Sequence, residues 1–148
     1  MTKLKNKKLV IDSSEKMESF GKKVAKRIAL GTVVGLKGDL GTGKTTFAKG
    51  FAKGLDIIEH VTSPTFKIVS EYESDTGTLF HIDCYRLSGY TDFIELDAER
   101  LLYPDHGITL IEWPEIIEEI IPKDSPFIEF SLGESENQRE ILVRGVSV

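Results

Sequence analysis

Eight consecutive residues, Gly38, Asp39, Leu40, Gly41, Thr42, Gly43, Lys44 and Thr45, satisfy the pattern Gly-x4-Gly-Lys-Ser/Thr in full. Their chemistry is anion capture. Glycines let successive backbone N–H groups turn inward onto phosphate oxygens, and a helix beginning at the lysine offers its positive end to the same anion. Lys44 is then placed to reach β and γ phosphates, and the Thr45 hydroxyl to meet Mg²⁺. Such a loop also needs an acid at the end of a neighbouring strand, to hold the metal or its water. Two residues qualify, Asp83 after "TLFHI" and Glu112 after "ITLI". A carboxylate ending an apolar strand is costly to bury without a cation or donor. Further candidates carry less. Thr62, Ser63 and Thr65 around Pro64 suit a γ-phosphate-sensing loop, or a proline turn whose hydroxyls cap backbone. Arg86 suits either charge stabilisation or a structural ion pair. His81, between Phe80 and Ile82, reads as a packed strand residue; Trp113 reads either as a wall of the site or as core in contact with the Glu112 loop; Cys84, the sole cysteine, reads as a small buried hydrophobe.

The elements that must position these groups follow from periodicity and turn chemistry. "KLVI" reads as a strand, and Asp12 with Glu15 as a capping box for a helix bearing Met17, Phe20, Val24 and Ile28 and stopping at Gly31. "TVVGLK" is a β-branched strand running into the phosphate loop, and a helix over about Lys44 to Leu55 follows it. "KIVSEYE" and "TLFHIDC" flank the turn "SDTG" as a hairpin. "YTDFIELDAERLL" reads as one helix whose Glu95–Arg100 charges are solvated, "ITLIEW" as a strand, "PEIIEEII" as a short helix opened by Pro114, and "FIEFSL" with "REILVRG" as a strand pair. The expectation is an α/β P-loop NTPase fold: a mixed, mostly parallel sheet flanked by helices, with antiparallel hairpins in the second half, in one domain over 1–148.

Bulk properties narrow the class. No run approaches the roughly 18 apolar residues that span a bilayer, and the lysine-rich start lacks the apolar core of a signal peptide, so a cytoplasmic, membrane-free protein is expected. A net charge of −5 disfavours broad independent binding to nucleic acid. Guanine-specific switches need an Asn-Lys-x-Asp segment, which neither Asn6 nor Asn137 supplies. "LSGY" starts like a transporter-ATPase signature and then departs from it. Five scattered arginines make no lid of the kind that small-molecule kinases close over phosphates. What remains is a compact ATP-binding domain. Its rivals are a small-molecule kinase and a nucleotide-sensing module with negligible hydrolysis. The base pocket is open, with the Asp12–Ser13 region and Arg139 as candidates.

"GDLGTGKTTF", "VTSPTF", "HIDCYRL" and "IEWPE", in this order and spacing, resemble the TsaE family over about Ile11 to Arg144. The resemblance implies a bacterial ATPase needed to make threonylcarbamoyladenosine in tRNA. It would work with the TsaD and TsaB proteins, hydrolysing ATP to reset their complex and meeting tRNA only through it. By motif, Gly38 to Thr46 would hold the phosphates, Thr45 and Glu112 Mg²⁺, and Asp83 would orient or deprotonate the attacking water. The Thr-Ser-Pro-Thr loop would answer to the nucleotide state and face the partner. Cys84 stands where the family commonly has an aliphatic residue and Thr42 where it often has Ala, and neither bears on the chemistry.

Overall fold

The protein is described by a computed structural model, which covers residues 6–62, 64 and 67–146. Seven strands form one sheet in the order β1-β7-β6-β2-β5-β4-β3. They are β1 (Asn6–Ile11), β2 (Val33–Lys37), β3 (Val69–Ser74), β4 (Gly77–Asp83), β5 (Gly107–Glu112), β6 (Phe127–Leu132) and β7 (Arg139–Arg144). The expected mixed sheet is present, with parallel pairing concentrated in the central four strands and antiparallel pairing at both flanks. Central β5 is buried along its whole length, as a parallel strand covered on both faces must be.

Alternation along these strands divides the core in two. Val34, Leu36, Leu79, Ile108 and Leu110 pack with helices α1 (Ser14–Ala25) and α2 (Lys44–Gly54), together with Phe20, Phe47 and Phe51. Val33, Ile82, Cys84 and Ile111 face the other way, against α3 (Tyr90–Glu95) and the 3-10 helices Glu99–Leu102 and Pro114–Ile120. Successive strand side chains point to opposite faces, so residue parity alone assigns each to its layer. Cys84 is fully buried, as read from the sequence, and burial pushes its thiol up to about 12.

Helices α1 and α2 approach closely because glycine stands at the crossing. A Cβ on Gly21 would overlap the Phe47 carbonyl oxygen, and one on Gly50 the carbonyl of Glu18. Phe47 then sits against Phe20 and Phe130, with ring centroids 5.6 and 5.5 Å apart.

Among the boundaries that differ from the sequence reading, three shape the site and the core. The cap of α1 is Ser13, whose hydroxyl accepts from Lys16 N at 3.1 Å, while Asp12 pairs with the Lys16 ammonium at 2.8 Å. That helix ends at Ala25 rather than Gly31; Ile28 packs on the same core from the turn beyond, since apolar spacing records burial and not helicity. The segment read as one helix from Tyr90 is broken after Glu95, where Asp97 adopts φ 57°. That left-handed residue, a conformation Asp tolerates, redirects the chain so that Leu101 and Leu102 reach the core.

Candidate functional site

Parity carries the chemistry to one face. Asp83 continues the series Leu79, His81 along β4, and Glu112 continues Ile108, Leu110 along β5, both on the side that α1 and α2 cover. The strands are parallel and in register, with Asp83 opposite Glu112. Between β5 and β6 lies β2, whose carboxyl end opens into the phosphate loop. The loop and both acids therefore meet at the carboxyl ends of adjacent strands, where open α/β sheets form their binding crevices.

The loop has the backbone its sequence demands. Gly38, Gly41 and Gly43 adopt φ values of 151°, 81° and 105°. At Gly38 a Cβ would also press to 2.6 Å from the Phe130 carbonyl. Thr42 is buried beneath the turn, donating its hydroxyl to the Asp39 carbonyl at 2.7 Å, whereas Asp39 and Leu40 are exposed. Gly43 caps α2 without a side chain, so the first N–H groups of the helix have no competing side-chain acceptor there.

Lys44, only 4% exposed, donates to the Gly38 carbonyl at 2.5 Å. Its ammonium also lies 3.8 Å from Glu112 Oε1 and 4.3 Å from the centre of the Trp113 ring. Desolvation pushes this lysine below its ordinary value, opposed in turn by Glu112, Asp83, Glu115 and Asp39. A buried ammonium within reach of two carboxylates is a cation waiting for more negative charge than the protein supplies.

Glu112 and Asp83 are also buried, but held differently. Asp83 Oδ1 accepts from Tyr85 N at 2.9 Å, and its own N–H donates to the Ile68 carbonyl. Glu112 Oε2 lies 2.7 Å from His81 Nε2. The sequence reading of His81 as packed strand residue is correct as to burial and incomplete as to role, because period-two alternation puts it diagonal to Glu112 on one face. Trp113, directly after Glu112, is half-buried at φ 58°, costly for a bulky residue, with its ring 5.1 Å from that of Tyr85. It packs on the second core and touches the site through the Lys44 ammonium, standing outside the cavity lining.

A cavity of about 320 Å³ unites these groups. Its lining includes Leu40, Gly41, Gly43, Lys44, Thr45 and Thr46 together with Asp83 and Glu112. The same cavity is lined by Ser13, Ser14 and Met17 of the α1 start and by Asn137 and Arg139 before and on β7. Arg139, a candidate for the base pocket, is thus brought to the cavity, its Nη1 donating to the Glu136 and Gln138 carbonyls at 2.8 and 2.9 Å. Asp12 is not in the lining, while its neighbour Ser13 is. Ser14, Met17 and Asn137 were missed. Only the cap signal before α1 pointed towards the first two, and nothing local marks Asn137.

Arg86 is exposed on the turn after β4 and outside the cavity lining. Thr62 is exposed and Pro64 buried, neither in the lining; Ser63 and Thr65 lie outside the described residues. Among the described residues no group of three or more His, Cys, Asp or Glu is placed to hold a metal alone. The donors that are present, a threonine and two carboxylates lining the same cavity, fit Mg²⁺, which takes oxygen ligands and keeps few protein ones when phosphates share it. No helix among the described residues is long and apolar enough to cross a membrane.

Comparison with known proteins agrees with this architecture. A family model described as "Threonylcarbamoyl adenosine biosynthesis protein TsaE" matches residues 11–141. The tRNA threonylcarbamoyladenosine biosynthesis protein TsaE of Bacillus subtilis (strain 168) is 38% identical over 132 residues, 89% of this chain and 81% of that protein. The protein of the same name from Treponema pallidum (strain Nichols) is 37% identical over 131 residues, 88% of this chain and 95% of its own. The crystal structure of YdiB from Bacillus subtilis superposes with a TM-score of 0.78 at 33% identity, covering 99% of this chain and 90% of the other.

Proposed function

The chain belongs to the TsaE family, and from that premise we propose that it is a Mg²⁺-dependent ATPase acting in threonylcarbamoyladenosine modification of tRNA. One observation carries the hydrolytic half: Asp83 and Glu112, in register at the ends of β4 and β5, line one cavity with Lys44 and Thr45. Triphosphate would lie along Gly38 to Thr46, its negative charge matching the buried Lys44 ammonium. Thr45 and Glu112 would hold Mg²⁺, which supplies charge neutralisation at the β and γ phosphates. Asp83 would take the attacking water, orienting it or accepting its proton. The base would lie towards Ser13, Ser14, Asn137 and Arg139. Rate enhancement then comes from positioning and fixed charge rather than covalent chemistry.

The protein would spend this hydrolysis on a neighbour. TsaD and TsaB are the proposed partners, with the Thr62–Thr65 loop as a contact that responds to the nucleotide, and tRNA is met only through their complex. A membrane-free, cytoplasmic setting suits such a reaction. Two variants separate the roles. Lys44→Ala is expected to abolish hydrolysis and weaken nucleotide binding. Asp83→Ala should keep binding within a few-fold while turnover falls by about 10²–10⁴, the usual share of a positioned acid or base. Unchanged turnover in both variants would remove the hydrolytic reading. ATP-dependent recovery of TsaD and TsaB with the tagged protein tests the partnership.

A further inference from the structure

His81 is fully buried in the layer that holds Leu79 and Ile108, where an aliphatic side chain would pack without polar cost. One ring nitrogen, Nε2, lies 2.7 Å from Glu112 Oε2, and the other, Nδ1, has no hydrogen-bond partner among the described residues. The tautomer that leaves no buried donor unmet carries its hydrogen on Nε2 and donates it to the carboxylate. The Nδ1 lone pair is left uncovered, a standing cost tolerated for a single contact.

We propose that His81 is a positioning residue for Glu112. Tied through Oε2 to β4, the carboxylate turns its other oxygen, Oε1, towards the Lys44 ammonium 3.8 Å away and so towards the cavity. Glu112 then presents one oxygen in one orientation, instead of two in several, to a cation arriving with the nucleotide. The inference rests on the reading of Glu112 as the metal-side carboxylate, and outer partners of metal-binding groups typically contribute tenfold to a hundredfold in metal affinity.

The test uses the full chain with a non-hydrolysable ATP analogue, and Mn²⁺ as a spin probe whose affinity is read by electron paramagnetic resonance. His81→Phe fills the space without a donor; His81→Gln returns an amide N–H at the position of Nε2. The expected result is Mn²⁺ affinity about tenfold or more weaker in His81→Phe, largely recovered in His81→Gln, with analogue affinity in EDTA changed less than about twofold. Equal losses in both variants would assign the effect to packing and overturn the proposal. Wild-type Mn²⁺ affinity in His81→Phe alongside a loss in Glu112→Gln would overturn it while leaving Glu112 its role. Wild-type affinity in Glu112→Gln as well would overturn both. Should His81→Phe fail to fold, His81→Asn, too short to reach Oε2, carries the same comparison with the same outcomes.

Discussion

Lys44 condenses the electrostatics of the site into one side chain. Burial disfavours its charge, and the nearby carboxylates restore it only in part, so its ammonium titrates below the 10.5 of an ordinary lysine. Phosphate binding needs the charged form. Metal-free nucleotide affinity should therefore fall as pH climbs through the lowered value, earlier than an unperturbed lysine allows. In Lys44→Arg, whose guanidinium stays charged across that range, the alkaline decline should be absent even if affinity is lower throughout. Nucleotide titrations from neutral pH to 10.5 decide this. A decline of equal shape in both proteins would place its origin elsewhere. Cys84, one residue past Asp83, is the contrast: burial first and the carboxylates of Asp83 and Glu115 after it both disfavour the thiolate, so its thiol is pushed up to about 12 and stays un-ionised at neutral pH.

Between elements, the close crossing of α1 and α2 supports the phosphate loop from behind. Met17 of α1 reaches Gly43, where an added Cβ would stand 2.8 Å from the Met17 methyl. At the crossing itself Gly21 and Gly50 meet backbone, not flexible side chains, so nothing local can yield to a larger residue. Gly50→Ala should cost about 1–3 kcal/mol of stability, seen as a lower urea midpoint at unchanged slope. It should also weaken nucleotide binding, since α2 carries Lys44 and Thr45 in its first turn. Unaltered stability would show that the helices separate freely. The sequence showed both helices but not their crossing: Gly21 and Gly50 sit inside helical patterns where glycine reads only as a weakness. Likewise Asp12 and Ser13 are both good caps; in the structure Ser13 takes the role while the Asp12 carboxylate pairs with Lys16.

At the scale of the molecule, the cavity joins segments from the start of α1 to the start of β7, so ligand binding should stabilise the whole fold. At one hundred times its dissociation constant a ligand adds about 2.7 kcal/mol, or about 5–10 °C in Tm for a chain of this size. Mg²⁺ with the non-hydrolysable analogue should give such a shift by calorimetry in the wild type, and a smaller one at the same concentration in Lys44→Ala. No shift in the wild type would contradict nucleotide binding altogether. The sequence by itself determined the phosphate loop, since glycine spacing and the Lys-Thr pair are local demands of backbone and ligand. It also determined which strands end in acid. Tertiary structure decided which groups share a face: the register Asp83 with Glu112 aligns two residues 29 positions apart in sequence, and the same alternation brings His81 beneath Glu112. Asn137 and Arg139 reach the cavity because β6 and β7 pair beside β2. Local patterns record what each segment needs from its own backbone and solvent; contacts between segments depend on strand order, which no single segment encodes.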